Sequence, residues 1–183
     1  MLEILLVRHG SPTLAGLKTG ALFSCAFPCA QSMRACLLHW NRCLSRNGLR
    51  LLPLAQQAGR TLIYFYRPSA LARDLLRPDV RALLSPQGYP CPDPERCIIC
   101  LSRRLRQQTE FPHEIGLFLG YPPEDVEGFI DQGPDGCKAT GCWKVYGDVD
   151  AARKKFEAYK KCTRVYCSCH ERGADIERLA VSG

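Results

Sequence analysis

The chain has 183 residues, of which 46% are hydrophobic, and a net charge of +7. This length and apolar content fit one domain with its own core and exclude a miniprotein held together mainly by disulfides. No apolar run approaches the roughly 20 residues that a membrane-spanning helix needs, and Glu3 lies where a signal peptide carries basic residues. We therefore expect a cytoplasmic protein without a membrane partner, whose 12 cysteines are thiols, redox-active groups or metal ligands.

The N-terminal part of the chain predicts two helices separated by a strand. An apolar segment at 2–8 predicts a short helix, which residues 11–13 are expected to end because they include a proline. Residues 18–25 predict a strand, and residues 29–46 predict a helix that Asn47-Gly48 closes. The apolar stripe of this second helix is formed by Met33, Cys36, Leu37, Trp40 and Leu44.

The middle of the chain predicts a hairpin followed by short helices. Two extended runs, 49–54 and 60–67, the second of which is rich in β-forming residues, predict an antiparallel hairpin with Gly59 in its turn. Residues 68–108 have helical patterns interrupted by prolines, each of which starts or stops a helix because proline has no N–H to donate.

The C-terminal part predicts helices around one short strand. Residues 112–120 predict a helix, and Pro122-Pro123 begins another, with Val126, Phe129 and Ile130 facing inward. Residues 143–146 predict a strand. A basic helix from about Val149 and a last helix near 174–179 complete the chain.

These elements predict the α+β class, with a small, mainly antiparallel sheet covered by several helices. We expect a single domain over residues 1–183. The proline-rich helical connection at 68–110 is the place where a sub-boundary is expected.

Basic residues are concentrated at 96–106 and 153–164. Each segment could meet an anion, but apolar residues at helical spacing in the second segment favour a solvated helix face instead. Aromatic residues are not interleaved with the basic ones. A nucleic-acid partner is therefore not expected, although an adaptor that acts through these basic faces remains a third functional alternative.

Cysteine spacing is the evidence for a metal site, since such sites need several soft ligands around one ion. Cys97-x-x-Cys100, with Cys91 close by, has a suitable spacing, but the same spacing also places two small apolar residues on one buried helix face. The richer candidate set, to which Cys137 and Cys142 could add thiolates from a loop, is Cys162, Cys167, Cys169 and His170. Iron, haem or an iron–sulfur cluster are the candidate cofactors.

His113 is the candidate general base, axial ligand or hydrogen-bond donor. On a helix over 112–120, His113, Gly116 and Gly120 would share one face, so that a flat ligand could lie against the glycines with the imidazole at the rim. Close helix packing is the alternative. Glu114 is expected to cap the first turn of this helix.

Lys18, Arg67, Lys138 and Lys144 are candidate cations for a phosphate or carboxylate, because strand and loop ends often present binding groups. An enzyme would use Lys18 or Lys144 to bind an anionic substrate beside His113. The sequence has no P-loop, no G-x-G-x-x-G, no H-E-x-x-H and no G-x-S-x-G. The nucleotide, zinc-protease and hydrolase mechanisms of these motifs therefore lose support.

Four segments carry a resemblance to a known family: PTLAGLKT at 12–19, IYFYRP at 63–68, FPHEIGLFLGYP at 111–122 and WKVYGD at 143–148. Through them the chain resembles, over nearly its whole length, a bacterial family common in anaerobic Firmicutes, the domain of unknown function 3793. The family has no established activity, so the resemblance implies relatives but no reaction. Its members often neighbour flavodoxins, which implies a flavodoxin-like redox partner. Gly10 and Cys142 depart from the family pattern, which has a cysteine and an aromatic residue there.

We therefore expect a ligand- or metal-binding accessory protein in redox or iron metabolism, with an enzyme based on His113 as the alternative. A glycine-rich loop delivers Cys137 and Cys142 next to Trp143. If this loop folds over the glycine face, Cys137 lies near His113 and Trp143 closes one wall. The functional surface is expected near these three residues.

Overall fold

The structure, a computed structural model, describes residues 1–107 and 110–182. Its helices are α1 (Leu2–Leu14), α2 (Ala30–Leu44), α3 (Pro68–Leu76), α4 (Pro78–Leu84), α5 (Pro94–Gln107), α6 (Ile115–Phe118), α7 (Pro123–Gln132), α8 (Val149–Glu171) and α9 (Ile176–Leu179). Its strands are β1 (Gly20–Ala26), β2 (Arg50–Gln57), β3 (Arg60–Tyr66), β4 (Ala139–Thr140) and β5 (Lys144–Val145). The fold is of the α+β class, with small antiparallel sheets and several helices, as the sequence predicts.

The larger sheet has three antiparallel strands in the order β1-β3-β2. The predicted hairpin of β2 and β3 is confirmed, and Ala58 and Gly59, both with positive φ, form its turn. The register shifts between Pro53 and Ala55, because a proline has no N–H for the ladder and is accommodated at a bulge. The smaller sheet is the β4–β5 pair.

The chain divides into two compact units. The first contains Met1–Ala70 and the residues from Lys161 onward, and the second contains Leu71–Lys160. The range 68–110, predicted to hold a sub-boundary, includes the start of the second unit, and its residues 108 and 109 lie outside the described residues. The first unit has a core of residues from α1, α2 and the larger sheet, among them Leu6, Leu14, Leu37, Leu44, Leu51, Ile63 and Phe65.

Helix α1 is longer than predicted, because it continues through Pro12 to Leu14. The Ser11 hydroxyl donates to the Val7 carbonyl. A Cβ atom on Gly10 would lie only 2.7 Å from the Phe65 ring, so this part of the helix packs tightly in the core of the first unit. Its burial offsets the backbone hydrogen bond that Pro12 cannot donate.

The other helices largely follow the predictions. Prolines begin α3, α4, α5 and α7, and the predicted helix over 112–120 is only the short α6. Ile130 was expected to face inward on α7 but is 42% exposed, so this part of the prediction is wrong. The stripe on α2 is buried at Leu37 and Leu44 and only partly buried at Cys36.

Helix α8 has the amphipathic character that the sequence predicts. Ala152, Phe156 and Tyr159 are buried with Trp143 and Val145 in the core of the second unit. The basic side chains of this helix are exposed to solvent, namely Arg153, Lys154, Lys155, Lys160 and Lys161. Across residues 1–107 and 110–182, no helix combines the length and the apolar character that crossing a bilayer requires.

Candidate ligand-binding pocket

A pocket of about 190 Å³ lies in the second unit, between α6, α7 and the β4–β5 hairpin. Its apolar wall is formed by Phe111, Ile115, Tyr121, Val126, Phe129 and Trp143, and Gly116 also lines it. The polar side chains at the pocket are those of His113, Asp125 and Lys144. An apolar cavity of about 150 Å³ can hold benzene, so this pocket has room for one ring-sized ligand.

Asp125 fixes the segment after β4 against α7. Its carboxylate accepts hydrogen bonds from Trp143 Nε1 at 2.6 Å, from the Tyr146 backbone N–H at 2.7 Å and from the Gly147 N–H at 2.8 Å. These three donors satisfy a carboxylate that is 3% exposed. Asp125 lies in the first turn of α7, where acidic residues are common, and no sequence signal showed that it is buried.

Trp143 and Tyr121 form one wall of the pocket. Their rings stack with centroids 4.9 Å apart, and Trp143 also packs edge-on against Phe156 of α8 at 4.5 Å. The Tyr121 hydroxyl donates to the Cys142 carbonyl, and burial raises the pKa of Tyr121 to about 12. The wall is therefore apolar, aromatic and held by contacts on both sides.

His113 and Lys144 both line this pocket, as two of the three residues predicted to do chemistry. The His113 side chain is exposed and its ring meets the Phe129 ring edge-on, with centroids 4.7 Å apart. Lys144 Nζ donates to the Pro134 carbonyl at 2.9 Å. An imidazole and an ammonium group at the edge of an apolar pocket can bind a polar or anionic substituent of a ring.

The two predicted ligand-binding glycines have different surroundings. Gly116 lines the pocket, but the space beside its Cα is filled by protein, since a Cβ there would lie 2.8 Å from Val126 Cγ2 and 3.0 Å from Tyr121 Cδ2. Gly120 has a φ of +77° and forms the turn after α6. The prediction that His113, Gly116 and Gly120 share one helix face is wrong, because α6 spans only Ile115–Phe118.

Glu114 is structural, but not as the predicted helix cap. Its carboxylate is 3% exposed, accepts a hydrogen bond from Tyr89 Oη at 2.8 Å and lies 2.7 Å from Arg104 Nε. Arg104 and Glu114 form an ion pair, but the Arg104 Nε–H group is not oriented for a hydrogen bond to the carboxylate. Burial and the Glu114 charge raise the pKa of Tyr89. These partners lie far from Glu114 in the sequence, so helix patterns could not identify them.

Lys18 and Arg67, both of the first unit, do not line this pocket. Lys18 follows α1 in the loop before β1, where its N–H donates to the Pro12 carbonyl. Arg67 is 4% exposed, and its guanidinium donates to four backbone carbonyls, those of Thr13, Leu14, Asn47 and Val181. The expected ligand-binding role of Arg67 is replaced by a structural one, because its three guanidinium nitrogens donate to the backbone.

Cys137 is not among the described residues that line the pocket. Its sulfur lies 3.5 Å from Thr140 Oγ1, within the same hairpin region. Cys142 is exposed. The glycine-rich loop therefore brings Trp143 to the pocket with His113, whereas the joint site of Cys137 and His113 stays a prediction.

The candidate metal ligands Cys162, Cys167, Cys169 and His170 all lie on α8. Cys162 and Cys169 are two helical turns apart, which separates them by about 10 Å along the axis, and Cys167 points in another direction. In the part of the chain that the structure describes, no group of three or more His, Cys, Asp or Glu side chains is arranged to hold a metal ion. Metal binding by these residues and Cys137 stays a prediction, since the described residues show no assembled ligand set.

Comparison with known proteins gives one result. No curated protein matches the chain, and no solved structure matches it either. A family model described as "Protein of unknown function (DUF3793)" matches residues 6–180. The match covers nearly the whole chain, including both sequence segments that build the pocket, and the chain therefore belongs to the DUF3793 family.

Proposed function

We propose that this chain is a binding protein whose pocket holds a small, flat, mainly apolar ligand with one anionic or hydrogen-bonding group. The observation that carries the proposal is the aromatic wall of Tyr121 and Trp143, which lines one pocket together with Phe129, His113 and Lys144. Aromatic walls with few polar groups are typical of small-molecule sites. A cytoplasmic location is part of the proposal and is supported by the cysteines, all of which are free thiols in the structure, as a reducing compartment would keep them.

The size of the pocket restricts the ligand. Sites for drug-sized molecules have roughly 300–1,000 Å³, whereas this pocket has about 190 Å³. A single ring or a compact bicyclic compound fits inside, and a macrocycle such as haem would not be enclosed. The proposed role in redox or iron metabolism is supported by the family resemblance alone and is tested separately.

Binding can be measured through Trp143, because the chain has only two tryptophans. A Trp40→Phe variant makes Trp143 the single reporter. We expect saturable changes of its emission with benzoate and benzyl alcohol, and weaker binding of benzylamine because Lys144 repels a cation. No saturable change with any of the three ring compounds would contradict the proposal.

Two further variants assign the polar contacts. Lys144→Gln should remove the preference for benzoate over benzylamine. Lys138→Gln is the matched control, since Lys138 donates to the Gly147 carbonyl and does not line the pocket among the described residues. His113→Ala should weaken binding of the oxygen-bearing rings while leaving the unfolding temperature nearly unchanged, because the side chain is exposed.

An enzyme is the second candidate, because His113 and Lys144 line the same pocket. His113 would act as a general base on an anionic substrate held by Lys144. Prolonged incubation with small acidic ring compounds, followed by NMR of the mixture, separates the two functions. Ligands that bind and stay intact support a binding protein, whereas conversion that His113→Gln abolishes supports an enzyme.

The redox or iron part of the proposal has its own test. The protein should be purified without oxygen and examined by metal analysis and visible absorption. Stoichiometric iron, lost in variants of Cys167 or Cys169, would support it. A colourless, iron-free protein that still binds ring compounds would keep the pocket and remove the iron role.

A further inference from the structure

Two thiols of the second unit lie close together away from the pocket. The sulfur atoms of Cys91 and Cys97 are 3.7 Å apart. We propose that Cys91 and Cys97 form a reversible disulfide by exchange with a low-molecular-weight disulfide, so that this pair is a redox modification site. The proposal does not depend on the proposed ligand or on the pocket.

The backbone holds the two cysteines in this arrangement. Cys91 lies in a turn whose hydrogen bonds join Cys91 N–H to the Tyr89 carbonyl and Asp93 N–H to the Pro90 carbonyl. Cys97 is in the first turns of α5, where its N–H donates to the Asp93 carbonyl. A disulfide bond is about 2.05 Å long, so the sulfurs must approach by less than 2 Å, which side-chain rotation can supply.

The two thiols differ in exposure, which assigns their order of reaction. Cys97 is fully buried, whereas Cys91 is half-buried. The Cys91 thiolate attacks one sulfur of the small disulfide and releases one thiolate, leaving a mixed disulfide on Cys91. The Cys97 thiolate then attacks Cys91 Sγ and releases the second thiolate. Two protein thiols are oxidised, and one small disulfide is reduced to two small thiols.

Burial also determines how fast the pair reacts. It raises the pKa of Cys91. At Cys97, burial and the neighbouring thiols of Cys91 and Cys100 together raise the pKa to about 12. Both groups are therefore mostly protonated near neutral pH. We expect slow exchange at pH 7 and faster exchange as the pH rises.

Cys100 is the competing partner that the sequence spacing suggests. It lies one helical turn after Cys97 and lines a cleft with Gly88, Pro90 and Arg103. Its sulfur lies 4.0 Å from the Gly88 carbonyl, whereas the sulfur that contacts Cys91 is that of Cys97. The C-x-x-C spacing therefore points to a different pair from the one that the fold brings together.

The test uses the full-length protein, first reduced without oxygen and then equilibrated with mixtures of reduced and oxidised glutathione. Remaining thiols are alkylated before digestion with trypsin. Cys91 is in the tryptic peptide 82–96, and Cys97 and Cys100 are in 97–103. We expect these peptides as a linked species lighter by two hydrogens than their sum, with two of the 12 thiols lost. Reduction should restore both.

Cysteine-to-serine variants identify the partner. Cys91→Ser and Cys97→Ser should each abolish the linked species, whereas Cys100→Ser should leave its amount unchanged. Absence of the linked species in the parent protein, under conditions that oxidise other cysteines, overturns the proposal, and this readout needs no variant to fold. A link that survives Cys97→Ser and disappears in Cys100→Ser also overturns it.

Discussion

Trp143 donates its indole N–H to the buried carboxylate of Asp125, with Nε1 2.6 Å from Oδ2. The other oxygen, Oδ1, accepts the backbone N–H groups of Tyr146 and Gly147. One side chain of α7 thus fixes both the aromatic wall of the pocket and the chain that follows it. The position of Trp143 therefore depends on Asp125 as well as on apolar packing.

Asp125→Asn should disturb the Trp143 contact selectively. The amide oxygen can still accept the two backbone N–H groups, but the amide nitrogen then faces Trp143 Nε1, and two donors cannot bond. We expect a loss of about 1–3 kcal/mol in the free energy of unfolding, since a buried donor is left without an acceptor. In a Trp40→Phe background, the emission of Trp143 should shift as well.

Asp131→Asn is the control for this change, because Asp131 is exposed on the same helix. It should alter the free energy of unfolding by less than about 0.5 kcal/mol. Urea denaturation of both variants gives the comparison. Equal stability of Asp125→Asn and the parent would show that the carboxylate is not needed to hold the aromatic wall.

Arg67→Met should strongly destabilise the protein. The methionine keeps the apolar part of the side chain, but it leaves the carbonyls of Thr13, Leu14, Asn47 and Val181 without the guanidinium. We expect a loss of about 3 kcal/mol or more in the free energy of unfolding. Arg50→Met, at an exposed position of β2, is the control and should change it little.

If Arg67 instead binds an anionic ligand, its replacement should remove any effect of phosphate on the unfolding temperature and should leave the unfolding temperature without phosphate unchanged. Thermal unfolding with and without added phosphate separates these cases. A stable Arg67→Met protein would contradict the structural role, even without any effect of phosphate.

Much of the fold follows from local patterns, and the exceptions have tertiary causes. The turn at Gly59, the left-handed Gly48 in the segment after α2 and the prolines that begin helices are local signals, and they predicted the right elements. Helix α1 passed through Pro12 because its last turns are buried, and burial against a distant strand is not visible in a local window.

The sequence indicated which segments line the candidate site, but it did not predict the contacts that their side chains make. The sequence indicated both segments because they are dense in glycine and aromatic residues, and His113, Lys144 and Trp143 of these segments line one pocket. Asp125 was missed, since a carboxylate in the first turn of a helix usually faces solvent. Arg67 was assigned to a ligand because the sequence could not show the carbonyls around it.

High pH should destabilise the folded state through buried tyrosines. The pKa values of Tyr121 and Tyr159 are raised to about 12 by burial, against about 10 in an unfolded chain. Above about pH 10 the unfolded state therefore loses protons that the folded state keeps, and the free energy of unfolding falls as the pH rises. Stability is unaffected by these groups below that pH and declines through about pH 12.

Urea denaturation across this range, with tyrosinate absorbance followed in parallel, measures the effect. Tyr159→Phe should make the decline less steep, whatever its effect at neutral pH, because phenylalanine cannot ionise. Thiols with raised pKa values, among them Cys91, Cys97 and Cys162, contribute in the same direction, so the difference between the parent and Tyr159→Phe, rather than the whole decline, reports the tyrosine. A pH-independent free energy of unfolding would contradict the assigned burial.

Gly116→Ala should distort the pocket, and a second substitution should repair it. The new Cβ would lie 2.8 Å from Val126 Cγ2 and 3.0 Å from Tyr121 Cδ2, so the neighbouring side chains must move. We expect a loss of about 1–3 kcal/mol from overpacking, together with weaker binding of ring compounds because Tyr121 forms the aromatic wall.

Val126→Ala removes the methyl group that the new Cβ meets, so the double variant should lose less stability than the two single losses combined. A double-mutant cycle in urea gives this coupling, and a favourable value of about 1 kcal/mol is expected for groups in direct contact. Additive losses would show that Gly116 does not pack on Val126. Val126→Ala alone should enlarge the pocket without moving Tyr121. Comparing ring-compound binding by this variant and by Gly116→Ala therefore separates the effect of pocket volume from the effect of a displaced aromatic wall.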